Sequence, residues 1–151
     1  MSQHRIEINN QQNNLPCSRA EILKTIRTML RDAGVEADLS VALVGDDKIE
    51  CVNRDFLGRE GTTDVIAFTY KNKGGSLEGE LVVNVDEARR CAQDVEHSAG
   101  DELMLYVVHG ILHLFGFEDD TPEKRRRMHE RALELLEKTG RKLESDTLLE
   151  E

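Results

Sequence analysis

The chain has 151 residues, 38% hydrophobic and 33% charged, which excludes a disordered polymer and fits a single soluble domain long enough to bury a real core. A net charge of −10 excludes a surface that grips nucleic acid everywhere, although phosphate contacts need only a local basic patch. No apolar run approaches the roughly 18 residues of a membrane span, and Met1 to Ile8 lack the apolar core of a signal peptide.

In chain order, Arg5 to Asn9 alternates Ile6 and Ile8 with polar residues and reads as a strand. After a polar Asn/Gln stretch, Ser18 and Glu21 have the spacing of a capping box. They open an amphipathic helix through Ile22, Ile26, Met29 and Leu30, which Gly34 ends. Ala37 to Val44 alternates again through Leu39, Val41 and Leu43. Gly45, Asp46 and Asp47 then turn the chain into a short helix with Ile49, Val52 and Phe56 expected on one face. Leu57 to Thr63, with Gly58 and Gly61, reads as a loop; loops on rigid scaffolds commonly carry binding groups, so Arg59 and Glu60 are expected substrate contacts.

Asp64 to Tyr70 and Glu80 to Val85 read as strands separated by a turn at Gly74, Gly75 and Ser76. Asp86 is expected to cap a helix reaching about His97, with Ala99 and Gly100 separating it from the next segment. That segment, Leu103 to Val108, carries no charge between Glu102 and His109, the pattern of an element buried all round. Thr121 and Pro122 read as N-cap and first residue of a last helix, with Met128, Ala132 and Leu135 inward. No repeat or composition shift divides the chain. The expected organisation is one domain over residues 1–139 and an acidic, mobile tail over residues 140–151. Mixed strands and helices around one core predict an α+β fold, a sheet layered with helices.

The chemistry concentrates at the end of the apolar segment. His109 and His113 are four residues apart, so on a helix both imidazoles lie on one face and can point at one atom. Gly116 offers a left-handed helix stop, and Asp119 can fold back with a carboxylate. Two imidazoles and a carboxylate make a three-ligand zinc set with a fourth position for water. The bland alternative is a pair of hydrogen-bonded core histidines, but two buried imidazoles need partners and one metal would satisfy both. Gly110 stands where the metalloprotease pattern His-Glu-x-x-His has its glutamate base, which argues against a peptidase. His129 is expected at the surface, with a spare metal ligand as the alternative, and His97 and His4 in solvent. Cys17, Cys51 and Cys91 are odd in number and match no zinc pattern; they read as reduced thiols, which points to the cytoplasm.

Arg54 and Arg59, Arg89 and Arg90, and Arg125 to Arg127 are candidate basic patches, the last expected to be a solvated helix face. Aromatic content of 4% opposes a stacking platform for bases. A phosphate group brought to such a metal would need a cation beside it, for which Arg59 is the candidate. Glu118 is a candidate base or water-orienting group, and Asp120 is expected in solvent.

The run His109 to Glu118 resembles the signature His-Gly-x-Leu-His-Leu-x-Gly-(Tyr/Phe)-(Asp/Glu) of the YbeY family, bacterial metal-dependent endoribonucleases of ribosomal RNA maturation. Asn53 to Phe68 is similar to the family's Asn-x-x-Tyr-x-Gly-x-Asp-x-x-Thr-Asp-Val-Leu-Ser-Phe block, and Gly79 to Val83 to its Gly-Asp-Ile-x-Ile strand. The resemblance implies a mixed sheet of about four strands around a central buried His helix. It also implies one Zn²⁺ per chain and a single-strand-specific endoribonuclease acting at the 3′ end of small-subunit ribosomal RNA and in ribosome quality control. Ribosomal RNA, and the ribosome or its small-subunit proteins, are the implied partners; no membrane or DNA is. Two positions depart from the pattern. The family usually has a third histidine where this chain has Asp119, a harder ligand that loosens metal selectivity, and commonly an arginine where it has Leu57. The competing readings are a metal-dependent hydrolase of another substrate and a ribosome-associated protein with a structural zinc.

Overall fold

The computed structural model describes residues 4–95 and 97–143. Four strands form one sheet: β1 (His4–Asn10), β2 (Glu36–Val44), β3 (Val65–Lys73) and β4 (Ser76–Asn84). Five helices accompany them: α1 (Arg19–Ala33), α2 (Asp46–Leu57), α3 (Val85–Cys91), α4 (Ala99–Leu114) and α5 (Pro122–Lys138). The strand order is β1-β2-β4-β3, with β1 and β4 parallel to β2 and β3 antiparallel to β4. This is the expected α+β fold with a mixed sheet of four strands.

The two faces of the sheet follow from the alternation of its strands. Leu39, Val41 and Leu43 of β2 and Leu77, Leu81 and Val83 of β4 point to one side, where they form the main core with α1, α3, α4 and α5. Val44, Ile66 and Val82 point to the other and pack against Ile49 and Val52 of α2. Helix α4 is apolar on every side because other elements surround it, and Leu103 to Val108 are all buried.

Helix ends follow sidechain chemistry. Ser18 and Glu21 form the expected capping box of α1, and Gly34 ends it at φ 68°. Thr121 caps α5 and Pro122 is its first residue. Four expectations give way. Phe56 does not share the buried face of Ile49 and Val52 but is 72% exposed, and it meets Phe68 edge to face with centroids 6.0 Å apart. Leu57 completes α2 instead of opening the loop. Asn84, not Asp86, caps α3, which stops at Cys91. Ala99 and Gly100 lie within α4, whose capping box is Ser98 with Asp101. Gly100 is tolerated because it packs against the chain: a Cβ there would stand 2.7 Å from the Pro16 carbonyl oxygen. Of the acidic tail, residues 144–151 lie outside the described residues. Among the described residues no helix is long and apolar enough to cross a membrane.

Candidate active site

A cavity of about 730 Å³ opens where the C-terminal half of α4, the start of α5, the loop after α2 and the first residues of β3 meet. His109, His113 and Asp119 line it together with Arg59 and Glu60, so the structure brings five of the six sequence-derived site residues to one place. The cavity lining is mainly polar and charged, with Val65, Ile66, Ala67 and Met128 among the apolar part; converging polar groups in a concave site are a mark of a ligand pocket.

The turn after α4 sets the metal-side geometry. Gly116 takes φ 104°, a conformation that a Cβ disfavours. Its N–H reaches the His113 carbonyl at 3.0 Å, and the Phe117 N–H reaches that of Leu112 at 3.0 Å, closing the helix as a Schellman turn. This folds the Phe117 carbonyl onto His113 Nδ1, 3.1 Å away. A carbonyl only accepts, so Nδ1 carries the proton and Nε2 keeps its lone pair, the arrangement of a metal-ligating histidine. Asp119 Oδ2 lies 3.5 Å from that Nε2.

His109 stands one turn earlier. Its Nε2 is buried without a hydrogen-bond partner, and burial first, then the neighbouring histidines His129 and His113, lower its pKa to about 3. The ring is therefore held neutral, as a metal ligand must be. His129, expected at the surface, lies instead in this cavity. Its ring centroid is 5.0 Å from that of His109 at 69°. Its Nδ1 is also buried without a partner. The reason is helical: α5 buries Met128 and Ala132 against α4, and position 129, on the flank of that face, turns its ring along α4. His97 is likewise withdrawn from solvent, its side chain 6% exposed and paired with buried Glu102.

The donors thus stand in two pairs, His113 with Asp119 and His109 with His129. Among the described residues no three or more His, Cys, Asp or Glu side chains stand close enough together to hold a metal ion as they are placed. The set still fits a divalent ion: a fixed His113 tautomer, a neutral His109 with an orphaned buried nitrogen, and an adjacent carboxylate are the donors that zinc takes.

Around these donors the loop after α2 is tied down. The Asn53 side chain donates to the Gly61 carbonyl at 3.1 Å, and the Arg59 N–H bonds to the Asn53 carbonyl at 3.2 Å. Asn84, fully buried, donates to Asp46 Oδ1 at 2.8 Å and to the Thr63 carbonyl at 3.1 Å while capping α3 through Glu87 N–H. Asp64 faces the cavity, accepting from Val65 N–H at 2.7 Å and from the Thr63 hydroxyl at 3.2 Å. Burial, partly opposed by those bonds, raises its pKa. Arg125 is exposed, as expected of a solvated face, and it also lines the cavity and hydrogen-bonds the Asp119 carbonyl at 3.4 Å. Arg127 of the same run pairs with Glu123 instead. Glu118 is not part of this wall: it pairs with Lys124 at 2.7 Å beside a smaller cavity. Leu57, 41% exposed, lines the mouth.

Gly110 explains itself sterically. A Cβ there would stand 2.8 Å from Leu81 Cδ2 and 3.1 Å from Val65 Cγ2, so the helix packs too tightly on the sheet for the glutamate of a metalloprotease.

The sequence profile described as "Endoribonuclease YbeY" matches residues 7–140. The chain belongs to the endoribonuclease YbeY family. A relative of that name from an Anaeromyxobacter strain is 37% identical over 107 residues, 70% of this chain and 56% of that protein, so the match spans little more than half of the relative. One from Bacillus licheniformis is 32% identical over 149 residues, 89% of this chain and 94% of that protein. The solution structure of TM1509 from Thermotoga maritima shares the fold with a TM-score of 0.61 at 24% identity, covering 88% of this chain and 90% of that one.

Proposed function

We propose that the protein is a cytoplasmic, zinc-dependent endoribonuclease that cuts single-stranded RNA during ribosomal RNA maturation. Membership of the endoribonuclease YbeY family supports the reaction class, hydrolysis of an internal phosphodiester bond of RNA. The observation that carries the metal reading is the convergence of His109, His113 and Asp119 on one cavity, with His113 Nε2 facing Asp119.

His109, His113 and Asp119 hold the ion. An ion there supplies Lewis acidity, polarising a phosphoryl oxygen and easing proton loss from the attacking oxygen. Arg59 lines the same cavity and meets the charge that develops on the phosphate; Arg125 offers a second cation on the α5 side. Glu118 serves as base only after releasing Lys124, whereas Asp64 already faces the cavity. Two arginines at one concave site offer cations for phosphate contacts, although Glu60, Asp64 and Asp119 line it as well. Ribosomal RNA and small-subunit proteins are the partners this reading brings.

The test is cleavage of single-stranded RNA by the purified protein before and after chelation. Activity that stops on chelation and returns on zinc addition supports the proposal. RNA left intact by the zinc-loaded protein, or cleavage indifferent to chelator, overturns it.

A further inference from the structure

His109 Nε2 and His129 Nδ1 are both buried without a hydrogen-bond partner, and their rings adjoin in the same cavity. An edge-to-face contact between two rings leaves both orphaned nitrogens unexplained, since an unpaired buried polar atom costs stability. A cation between them removes both costs at once. We propose that His129 is a fourth protein ligand of the ion held by His109, His113 and Asp119. This rests on the metal site proposed above and adds to it a ligand from a different helix.

Within each pair the spacing is that of two ligands on a tetrahedral ion. Metal–nitrogen bonds of about 2.0–2.1 Å put an imidazole centroid about 3.2 Å from zinc, so two such rings at the tetrahedral angle lie about 5.2 Å apart. The His109 and His129 centroids are 5.0 Å apart. Two ligand atoms on the same ion are about 3.3 Å apart, and His113 Nε2 and Asp119 Oδ2 are 3.5 Å apart. Asp119 is a loosely held donor, its side chain 55% exposed on the loop after α4. His129 projects from a helix seated on the core by Met128 and Ala132. Three imidazoles are thereby kept although the third residue of the His motif is a carboxylate. The complete shell then draws on α4, the following loop and α5. A resting shell of four protein ligands must expand to five-coordinate, or release a ligand, for substrate to reach the ion.

Two measurements on the full chain decide this. In the first, Co²⁺ is titrated against a competing chelator into wild type, His113→Ala and His129→Ala, with the visible d–d absorption recorded. The expected result is binding weaker by roughly tenfold or more in His129→Ala, with a changed spectrum, and no specific binding in His113→Ala. In the second, long-range ¹H–¹⁵N correlations of the histidine rings in wild type are followed as zinc is added. A ring nitrogen of His129 should shift along with those of His109 and His113. A His129 nitrogen that stays still overturns the proposal whatever the variant does, because loss of affinity alone could come from disturbing α5. If His129→Ala binds within twofold of wild type while His113→Ala fails, the fourth ligand is overturned and the three-ligand site stands. Wild type that binds neither metal overturns both.

Discussion

His113 and Asp119 face each other across the end of α4, Nε2 to Oδ2 3.5 Å apart, because Gly116 reverses the chain between them. The carboxylate is the hard member of an otherwise imidazole set, and its identity should tune metal choice. Asp119→His is expected to raise the preference for zinc over manganese by about tenfold, whereas Asp119→Ala should weaken both. Competitive metal titration checks this; a preference unchanged in Asp119→His would remove Asp119 from the ligand set.

Arg59 reaches the cavity from the loop after α2. If it meets charge that develops only during cleavage, Arg59→Ala should lower kcat by about 10²–10³-fold with metal content unchanged. Arg59→Lys keeps the charge but not the guanidinium fork, and should recover part of the loss. A variant with normal kcat and a raised KM would instead make Arg59 a binding group.

Helix α4 packs closely on the sheet at Gly110. Alanine there gains about 1 kcal/mol of helix propensity, yet its Cβ would sit 2.8 Å from Leu81 Cδ2 in the fully buried core. Overpacking of that kind costs about 1–3 kcal/mol, so Gly110→Ala should lower Tm. A Tm equal to or above wild type would show that the sheet yields easily at Leu81.

The neutral His109 ring makes the metal-free protein acid-sensitive. With a folded pKa lowered to about 3 against an ordinary value of about 6.5, the unfolded chain binds the extra proton between those values. Stability therefore falls as pH drops from about 6.5 towards about 3, by at most about 1.4 kcal/mol per pH unit from this side chain. Asp64, its pKa raised by burial, acts oppositely in the carboxylate range, so the comparison to make is wild type against His109→Asn in urea at pH 7 and pH 5. The variant should lose less stability between the two. Equal losses would mean that His109 ionises freely in the native state.

Asn84 connects the site to its support, joining the start of α2, the Thr63 carbonyl and the start of α3. Asn84→Ala removes three hydrogen bonds at a fully buried position and should cost about 2–4 kcal/mol. Urea denaturation measures this. A loss under about 1 kcal/mol would mean that water or neighbouring groups replace those bonds.

Local signals in the chain were enough for most of the scaffold. The β1 and β2 alternations, the Ser18–Glu21 capping box, the Gly34 and Gly116 stops and the Thr121–Pro122 start are each decided within a few residues, and the structure bears them out. Where local signals misled, a distant partner had intervened. Phe56 has the right helical spacing to be buried, but the sheet covers only Ile49 and Val52 on that face. Gly100 resembles a helix break until the Pro16 carbonyl is seen against it. Asp86 has the chemistry of an N-cap, but its carboxylate is taken by the Asp46 N–H, 40 residues away in sequence, and Asn84 caps α3.

The site divides in the same way. Spacing alone sets His109, His113, Gly116 and Asp119 along one helix and its turn, because i and i+4 share a face and a left-handed glycine reverses the chain. Nothing local could place His129 beside His109, since its ring is oriented by how α5 rolls on α4 through Met128 and Ala132. Nor could spacing bring Arg59, Asp64 and Arg125 to the same cavity from three separate segments, or turn Glu118 away towards Lys124. The sequence by itself determined the donors that lie within one helical turn and the loop that follows it. The packing of α4 between sheet and α5 decided which residues face those donors, because a side chain's neighbours across a core are set by tertiary contact rather than by position along the chain.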